Sequence, residues 1–209
     1  MGFVIAIAQQ KGGAGKSTLA AHLGAALAAG RRVALVDADP QATLSHWVAL
    51  RARHGGIAPV ALEAPSGWRV PATLDRLRRS HEVVLLDTPP HAETDNRVAL
   101  RAADLVLVPL QPSGPDLWAS ETTLRLAEAE GRPARVVLNR VPARGRLKQV
   151  VLAELASRGI APLGPGLGNR SAFATAFMLG LGVTEADPES LAAQELAATL
   201  SALEQIMKN

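Results

Sequence analysis

The sequence predicts a doubly wound α/β domain, a mostly parallel sheet flanked by helices. Three observations predict it. Apolar, β-branched runs alternate with helical patterns along the whole chain. The runs are continuous in Val, Ile and Leu, which suits strands buried on both faces. Chemistry-bearing residues come directly after three of those runs, and a parallel sheet gathers the loops after its strands along one carboxyl edge. In chain order the candidate strands are Phe3–Gln9, Arg32–Asp37, Val60–Glu63, Glu82–Asp87, Leu105–Leu110 and Arg135–Asn139. The candidate helices are Lys16–Ala29, Gln41–Arg53, Pro71–Arg79, Asn96–Ala102, Leu117–Glu130, Arg146–Arg158, Arg170–Leu179 and Pro188–Lys208. The pattern is weakest from His54 to Arg69. No internal repeat or long linker interrupts it, so residues 1–209 read as a single domain.

The first strand end is the most informative. Gln10-Lys11-Gly12-Gly13-Ala14-Gly15-Lys16-Ser17-Thr18 succeeds the run Phe3–Ala8 and opens the helical pattern Leu19–Ala29. A glycine-rich turn between strand and helix bares backbone N–H groups, and the helix N-terminus adds partial positive charge. Together they cradle a polyphosphate. Gly15-Lys16-Ser17 fits the end of the usual phosphate-loop pattern, while Gln10 stands where its first glycine belongs. Lys16 is expected on the β- and γ-phosphates, Ser17 on Mg²⁺ and Thr18 near the α-phosphate. Lys11 comes too early in the loop to share the place of Lys16. It is expected to point outward and reach a nucleotide on another subunit. A dinucleotide-binding reading fails, because Gly13-Ala14-Gly15 would need Gly or Ala where Thr18 stands.

The second strand end, Val33–Val36, runs into Asp37-Ala38-Asp39-Pro40-Gln41. Alternation aims Asp37 and Asp39 the same way. Asp39 is the candidate to position an attacking water, with Asp37 in the outer shell of the metal. Asp39-Pro40 also reads as a helix cap followed by the first helical residue. The third strand, Val83–Leu86, ends in Asp87-Thr88-Pro89-Pro90. An acid ending such a strand after a phosphate loop is the usual second carboxylate on Mg²⁺-bound water. Thr88 and the prolines would form a stiff turn facing the γ-phosphate.

Composition narrows the classes. The chain has no cysteine, which excludes disulfides, thiolate metal sites, cysteine nucleophiles and iron–sulfur chemistry. No apolar run reaches membrane-spanning length, and no charged segment precedes the first apolar run. Met1-Gly2 lacks the hydroxyl residue that myristoylation wants, since position 6 is Ala6. The expected location is cytoplasmic. His22, His46, His54, His81 and His91 show no metal-ligand spacing, and His91 reads as surface. Trp47, Trp68 and Trp118 read as packing or interface residues.

Taken together, Lys11–Thr18, Val36–Gln41 and Leu86–Pro89 resemble the deviant phosphate-loop ATPases of the ParA/MinD type in order and spacing. The resemblance continues through Val108–Ser113 and Leu138-Asn139-Arg140. It is closest to the short, ParF-like partition ATPases, whose interface stretch Pro109–Pro115 resembles, and with the first strand at Phe3 no N-terminal helix-turn-helix extension is expected. It implies an ATP- and Mg²⁺-dependent switch. ATP would build a face-to-face homodimer in which Lys11 meets the phosphates of the opposite subunit. That dimer would bind double-stranded DNA nonspecifically and leave it on hydrolysis, placing the protein on the nucleoid. Hydrolysis would be slow alone and faster with DNA and a ParB-like or cargo-adaptor protein. The cargo would be a plasmid, a chromosome or a protein assembly. Asn139 and Arg140 fall where the family contacts adenine, and Pro109–Pro115 falls near its dimer interface.

Charge separates the alternatives. From Gly131 to Arg170 there are eight lysines and arginines against one acid, Glu154, a net charge of +7. Such a segment suits phosphate backbones. With the resemblance, it points to Arg144, Arg146, Lys148 and Arg170 as DNA contacts, with sequence-blind, salt-sensitive affinity. A MinD-like membrane cycle is disfavoured by the tail. Glu185, Asp187, Glu189, Glu195 and Glu204 oppose only Lys208, and an acidic helix is repelled by anionic lipid. Leu191, Leu196, Leu200 and Leu203 are expected to pack inward, with Asp187-Pro188 capping the helix. The other alternative is a dethiobiotin-synthetase-like ligase that phosphorylates a small carboxylate.

Overall fold

A computed structural model describes residues 1–90 and 93–208, without the side chains of residues 93–96. The reading of His91 therefore lies outside the described residues. The apolar runs form six strands: β1 Phe3–Ile7, β2 Val33–Asp37, β3 Ala61–Glu63, β4 Val83–Asp87, β5 Leu105–Leu110 and β6 Ala134–Leu138. They pair in the order β3-β2-β4-β1-β5-β6, and every pairing is parallel. The set of short runs thus makes one sheet with its carboxyl ends on one edge.

Alternate strand residues feed two cores. Ile5, Ile7, Leu35, Leu85 and Leu107 face a layer made by α1 (Lys16–Ala28), α2 (Thr43–Arg51), α7 (Ser171–Met178), α8 (Val183–Ala186) and α9 (Leu191–Lys208). Val4, Val36, Val84, Leu86 and Val108 face α3 (Val70–Ser80), α4 (Glu93–Arg101), α5 (Gly114–Ala129) and α6 (Leu147–Ser157). Covering both faces is what makes the strands read as unbroken apolar runs.

Helix starts depart from the expected bounds where a cap overrides periodicity. Helix α5 begins at Gly114, three residues before Leu117, because the Ser113 hydroxyl accepts the Asp116 N–H at 3.2 Å. Helix α9 begins at Leu191, not Pro188. The Ser190 hydroxyl accepts the Ala193 N–H at 3.2 Å, so Ser190 and not Asp187 caps it. Leu196 and Leu203 are fully buried as expected, but Leu191 is 59 % exposed. Helix α4 starts at Glu93 rather than Asn96. The turn Gly67–Arg69 and the four-residue α8 are too short to carry a periodic signal. Trp47 is buried and stacks on Phe177, whereas Trp68 and Trp118 are exposed.

Candidate nucleotide site

The sheet register brings the three strand ends together. Asp87 sits opposite both Ile7 of β1 and Asp37 of β2. The phosphate loop after β1 and the Asp39 turn after β2 therefore flank Asp87. Thr88 fixes this edge, since its hydroxyl donates to the Ile7 carbonyl at 3.0 Å. Its one hydroxyl proton is thus spent within the sheet.

The loop is held by its carbonyls. Gln111 Nε2 donates to the Gly13 carbonyl at 2.8 Å, and Asn139 Nδ2 donates to the Ala14 carbonyl at 2.9 Å. Gln9, fully buried, braces the base of the loop through the Pro109 carbonyl. The N–H groups of Gly12, Gly13, Ala14 and Gly15 make no hydrogen bond among the described residues. No side chain caps α1, so its first N–H groups are unpaired as well. Gly15 takes φ 94°, and a Cβ there would lie 2.4 Å from Asn139 Nδ2. Only glycine fits both the backbone and the neighbour. The result is a cavity of about 320 Å³ lined by Gly12, Gly13, Gly15, Lys16, Ser17, Thr18, Asp39, Gln41, Pro90 and Arg140, among others.

Burial sets the electrostatics. Lys16 is buried, and desolvation lowers its pKa against the pull of Asp87 and Asp39. Asp87 is fully buried, and burial raises its pKa to about 7. The Ser17 hydroxyl and Lys16 oppose that rise, while Asp37 and Asp39 add to it. Ser17 acts on Asp87 but closes no hydrogen bond of good geometry, so both carboxylate oxygens lack a partner. Orphaned, buried carboxylate oxygens are rare unless a ligand is meant to satisfy them.

Asp37 and Asp39 diverge. Asp37 Oδ2 accepts the Ser45 N–H at 2.8 Å and the Ser45 hydroxyl at 2.7 Å. Its carboxylate therefore caps α2, and it is absent from the phosphate cavity. Asp39 lines that cavity, with its Oδ1 accepting the Gln41 N–H at 2.9 Å. The expectation that Asp39-Pro40 caps α2 is corrected: the N-cap is Ala42, in a left-handed conformation at φ 54°. Arg140, at φ 49°, is the other non-glycine residue in that region among the described residues. Both residues stand beside the site, where backbone strain tends to collect.

Lys11 does not line its own phosphate cavity. Its ammonium pairs with Asp116, whose side chain is 2 % exposed while that of Lys11 is 41 % exposed. Asp116 in turn meets the Ser113 hydroxyl at 2.5 Å. The expected outward lysine is thus tethered in cis at the rim.

A second cavity of about 560 Å³ opens beside the first. Thr18, Leu19, Asn139, Arg140, Gly168, Asn169, Arg170, Phe173 and Phe177 are among its lining residues. Asn139 and Arg140 both line it. The Asn139 amide, however, is engaged with Ala14 and with the Arg140 N–H at 3.0 Å. A third cleft, about 650 Å³, is lined by Asp37, Asp39, Gln41, Ser66, prolines and small residues.

The cations of the basic segment differ in their partners. Arg144 and Arg146 are exposed and unpaired among the described residues. Lys148 donates to the Pro165 carbonyl at 3.0 Å. Arg158 is held by Glu154 and Glu121. Arg170, expected from sequence as a DNA contact, forms a two-point pair with Glu195.

The model of the CobQ/CobB/MinD/ParA nucleotide binding domain matches residues 5–183. The chain belongs to this nucleotide-binding family. Among curated relatives it is 52 % identical over 46 residues to Maintenance of carboxysome distribution protein A of Halothiobacillus neapolitanus, 22 % of this chain and 21 % of that one. It is 65 % identical over 43 residues to Chromosome partitioning protein ParA of Caulobacter vibrioides, 20 % of this chain and 16 % of that one. The chain thus spans about a fifth of the curated relatives it matches. Its fold is that of the septum site-determining protein MinD complexed with Mg-ADP from Pyrococcus horikoshii. The TM-score is 0.83 and the identity 19 %, covering 99 % of this chain and 98 % of that one. No helix among the described residues is long and apolar enough to cross a membrane.

Proposed function

We propose that this chain is an ATP-hydrolysing positioning switch of the ParA type. ATP would join two chains face to face, the pair would bind duplex DNA without reading its sequence, and hydrolysis would release it. The observation that carries the reading is the pair of lysines. Lys16 is buried in the phosphate cavity, while Lys11 sits at its rim, outside its own cavity and half-exposed. A cation so placed would reach phosphates on a second copy by exchanging Asp116 for them.

In this reading Lys16 and the loop N–H groups bind the β- and γ-phosphates, and Asp39 orients the attacking water. The orphaned Asp87 oxygens fit the water shell of Mg²⁺, with the Ser17 hydroxyl as a direct ligand. Bound with the nucleotide, Mg²⁺ neutralises charge on the phosphates. No group of three or more His, Asp or Glu among the described residues suits a metal by itself, so the phosphates would complete the ligand set. Asp37 serves by holding α2 and the Asp39 turn. Arg144 and Arg146 supply phosphate-backbone contacts. Relatives named for carboxysome distribution and chromosome partitioning suggest a large cargo, moved with a partner that stimulates hydrolysis.

The ligase alternative is disfavoured by the third cleft. It could hold a small molecule beside Asp39, but its lining carries two carboxylates and no lysine or arginine. A carboxylate substrate would be repelled there. The deciding experiment measures ATPase rate with and without duplex DNA, together with ATP-dependent co-sedimentation. Stimulation and co-sedimentation are expected. Turnover indifferent to DNA, with no ATP-dependent dimer, would remove the switch reading.

A further inference from the structure

Helix α2 begins without a capping side chain of its own. Its N-cap residue, Ala42, offers no side-chain acceptor to the first-turn N–H groups. Asp37, buried at the end of β2, supplies one from across the turn and takes three donors in all. Its Oδ2 accepts the Ser45 N–H at 2.8 Å and the Ser45 hydroxyl at 2.7 Å, while Oδ1 accepts the Asp39 N–H at 3.3 Å. One carboxylate therefore joins the first turn of α2 to the backbone of Asp39, which lines the phosphate cavity.

The two sides of that joint differ. Helix α2 is anchored: Leu44 and Trp47 are fully buried, and Arg51 makes a two-point pair with Glu185 at 2.7 Å and donates to the Ala58 carbonyl at 2.7 Å. In the turn, none of residues 38–41 is buried, and the chain enters the helix through Ala42 in a left-handed conformation that costs a non-glycine residue. The helix is thus the fixed reference, and Asp37 passes its position on to Asp39. Ser45 lines none of the three cavities, so it acts on the site only through Asp37. We propose that Ser45 is a positioning residue for ATP hydrolysis, holding the Asp37 carboxylate so that the turn presents Asp39 to the phosphate cavity. The last torsion of an aspartate is soft, so a second donor on Oδ2 fixes where Oδ1 points. The hydroxyl bond to a carboxylate is charge-assisted and of the stronger kind. Orientation of an attacking water tolerates little displacement, so the rate is set partly from outside the cavity. The inference rests on the reading of Asp39 given above.

The full chain and its Ser45→Ala, Ser45→Thr and Ser45→Cys variants are compared by single-turnover ATP hydrolysis, by calorimetric titration with ADP and by melting. Ser45→Ala should slow hydrolysis about tenfold, the size of one hydrogen bond to a charged group. Its ADP affinity should be unchanged, because the phosphate loop and Lys16 are untouched. Ser45→Thr keeps the hydroxyl and should restore the rate. Ser45→Cys offers only a weak donor and should fall between. Added to Asp39→Ala, Ser45→Ala should cost nothing more, since both act through one side chain. A merely structural role would slow the Asp39→Ala background further.

Unchanged hydrolysis in Ser45→Ala would overturn the proposal. So would an equal loss of ADP affinity, or a further loss in the double variant, since either would mark a general loosening of α2. Should Ser45→Ala fail to fold, the other two variants decide: Ser45→Cys slower than Ser45→Thr at equal ADP affinity supports the proposal, and equal rates overturn it. Undiminished hydrolysis in Asp39→Ala, or a wild-type chain that binds no ADP, would instead sink the reading of the site, and this inference with it.

Discussion

The strand-end motifs and the basic segment look equally suggestive in one dimension, but the structure treats them differently. The phosphate loop, Asp39 and Asp87 converge because parallel register leaves them no alternative: Ile7, Asp37 and Asp87 are neighbours along one edge. The cations from Gly131 to Arg170 have no such constraint. Partners distant in sequence decide what each one does. Glu195 takes Arg170, and Glu121 helps take Arg158. A charge count within a window sees neither acid. Motifs whose geometry comes from the backbone can be read from sequence, while motifs built from free charge await the fold.

Asp39→Ala should show the largest effect and would break the first half of that comparison. With water orientation lost, ATP turnover should fall by about 10² to 10⁴, while nucleotide binding persists and the ATP dimer accumulates on DNA. Single-turnover hydrolysis measures the first and sedimentation the second. Unchanged turnover would leave Asp39 as turn scaffolding only. Lys16→Ala comes next. It removes the buried cation between Asp87 and Asp39, and ATP affinity should drop by about a hundredfold by calorimetry. Near-normal affinity in a folded variant would dissolve the loop assignment.

The second half of the comparison is sharpened by pitting free arginines against paired ones. Arg144→Ala with Arg146→Ala should lower the slope of log affinity for duplex DNA against log salt by about two. Arg158→Ala should leave the slope alone, because its charge is already met by Glu154 and Glu121. Equal slopes for the two variants would mean that pairing does not predict which cations reach DNA.

The reach of local sequence patterns has the same physical origin. Strand identity was legible because burial on both faces needs unbroken apolar residues, as in Val83–Leu86. Spacing predicts that Lys16, Ser17 and Asp87 share one sheet edge, and the structure puts all three there. Asp37 shows where spacing misleads. Alternation aimed it with Asp39, but Ser45, eight residues on, claims its carboxylate. Asp116 and Gln111 went unread because their partners, Lys11 and Gly13, lie 105 and 98 positions away. No local pattern announces a side chain that reaches across the sheet edge to hold a loop.

His22 joins the two regions and offers the mildest test. It lies on α1, one turn past Thr18, and borders the 560 Å³ cavity. Its Nδ1 accepts the Val183 N–H at 3.1 Å, so Nε2 carries the proton and meets the Phe173 carbonyl at 3.1 Å. Burial lowers its pKa from 6.5 to about 4, against weaker pulls from the Phe173 carbonyl and Glu185. A histidine depressed in the folded state binds its proton more readily when unfolded. Its contribution is therefore complete above about pH 6.5 and is lost as pH falls towards 4. At pH 5 the loss should be about 2 kcal/mol, from roughly 1.5 pK units at 1.36 kcal/mol each. Denaturant unfolding at pH 7 and pH 5 measures it, with His22→Gln as the reference that cannot titrate. The wild-type chain should lose that much more than the variant over the interval. Parallel losses would show that His22 can be protonated in place, and that α1 and α7 are not locked together through its neutral ring.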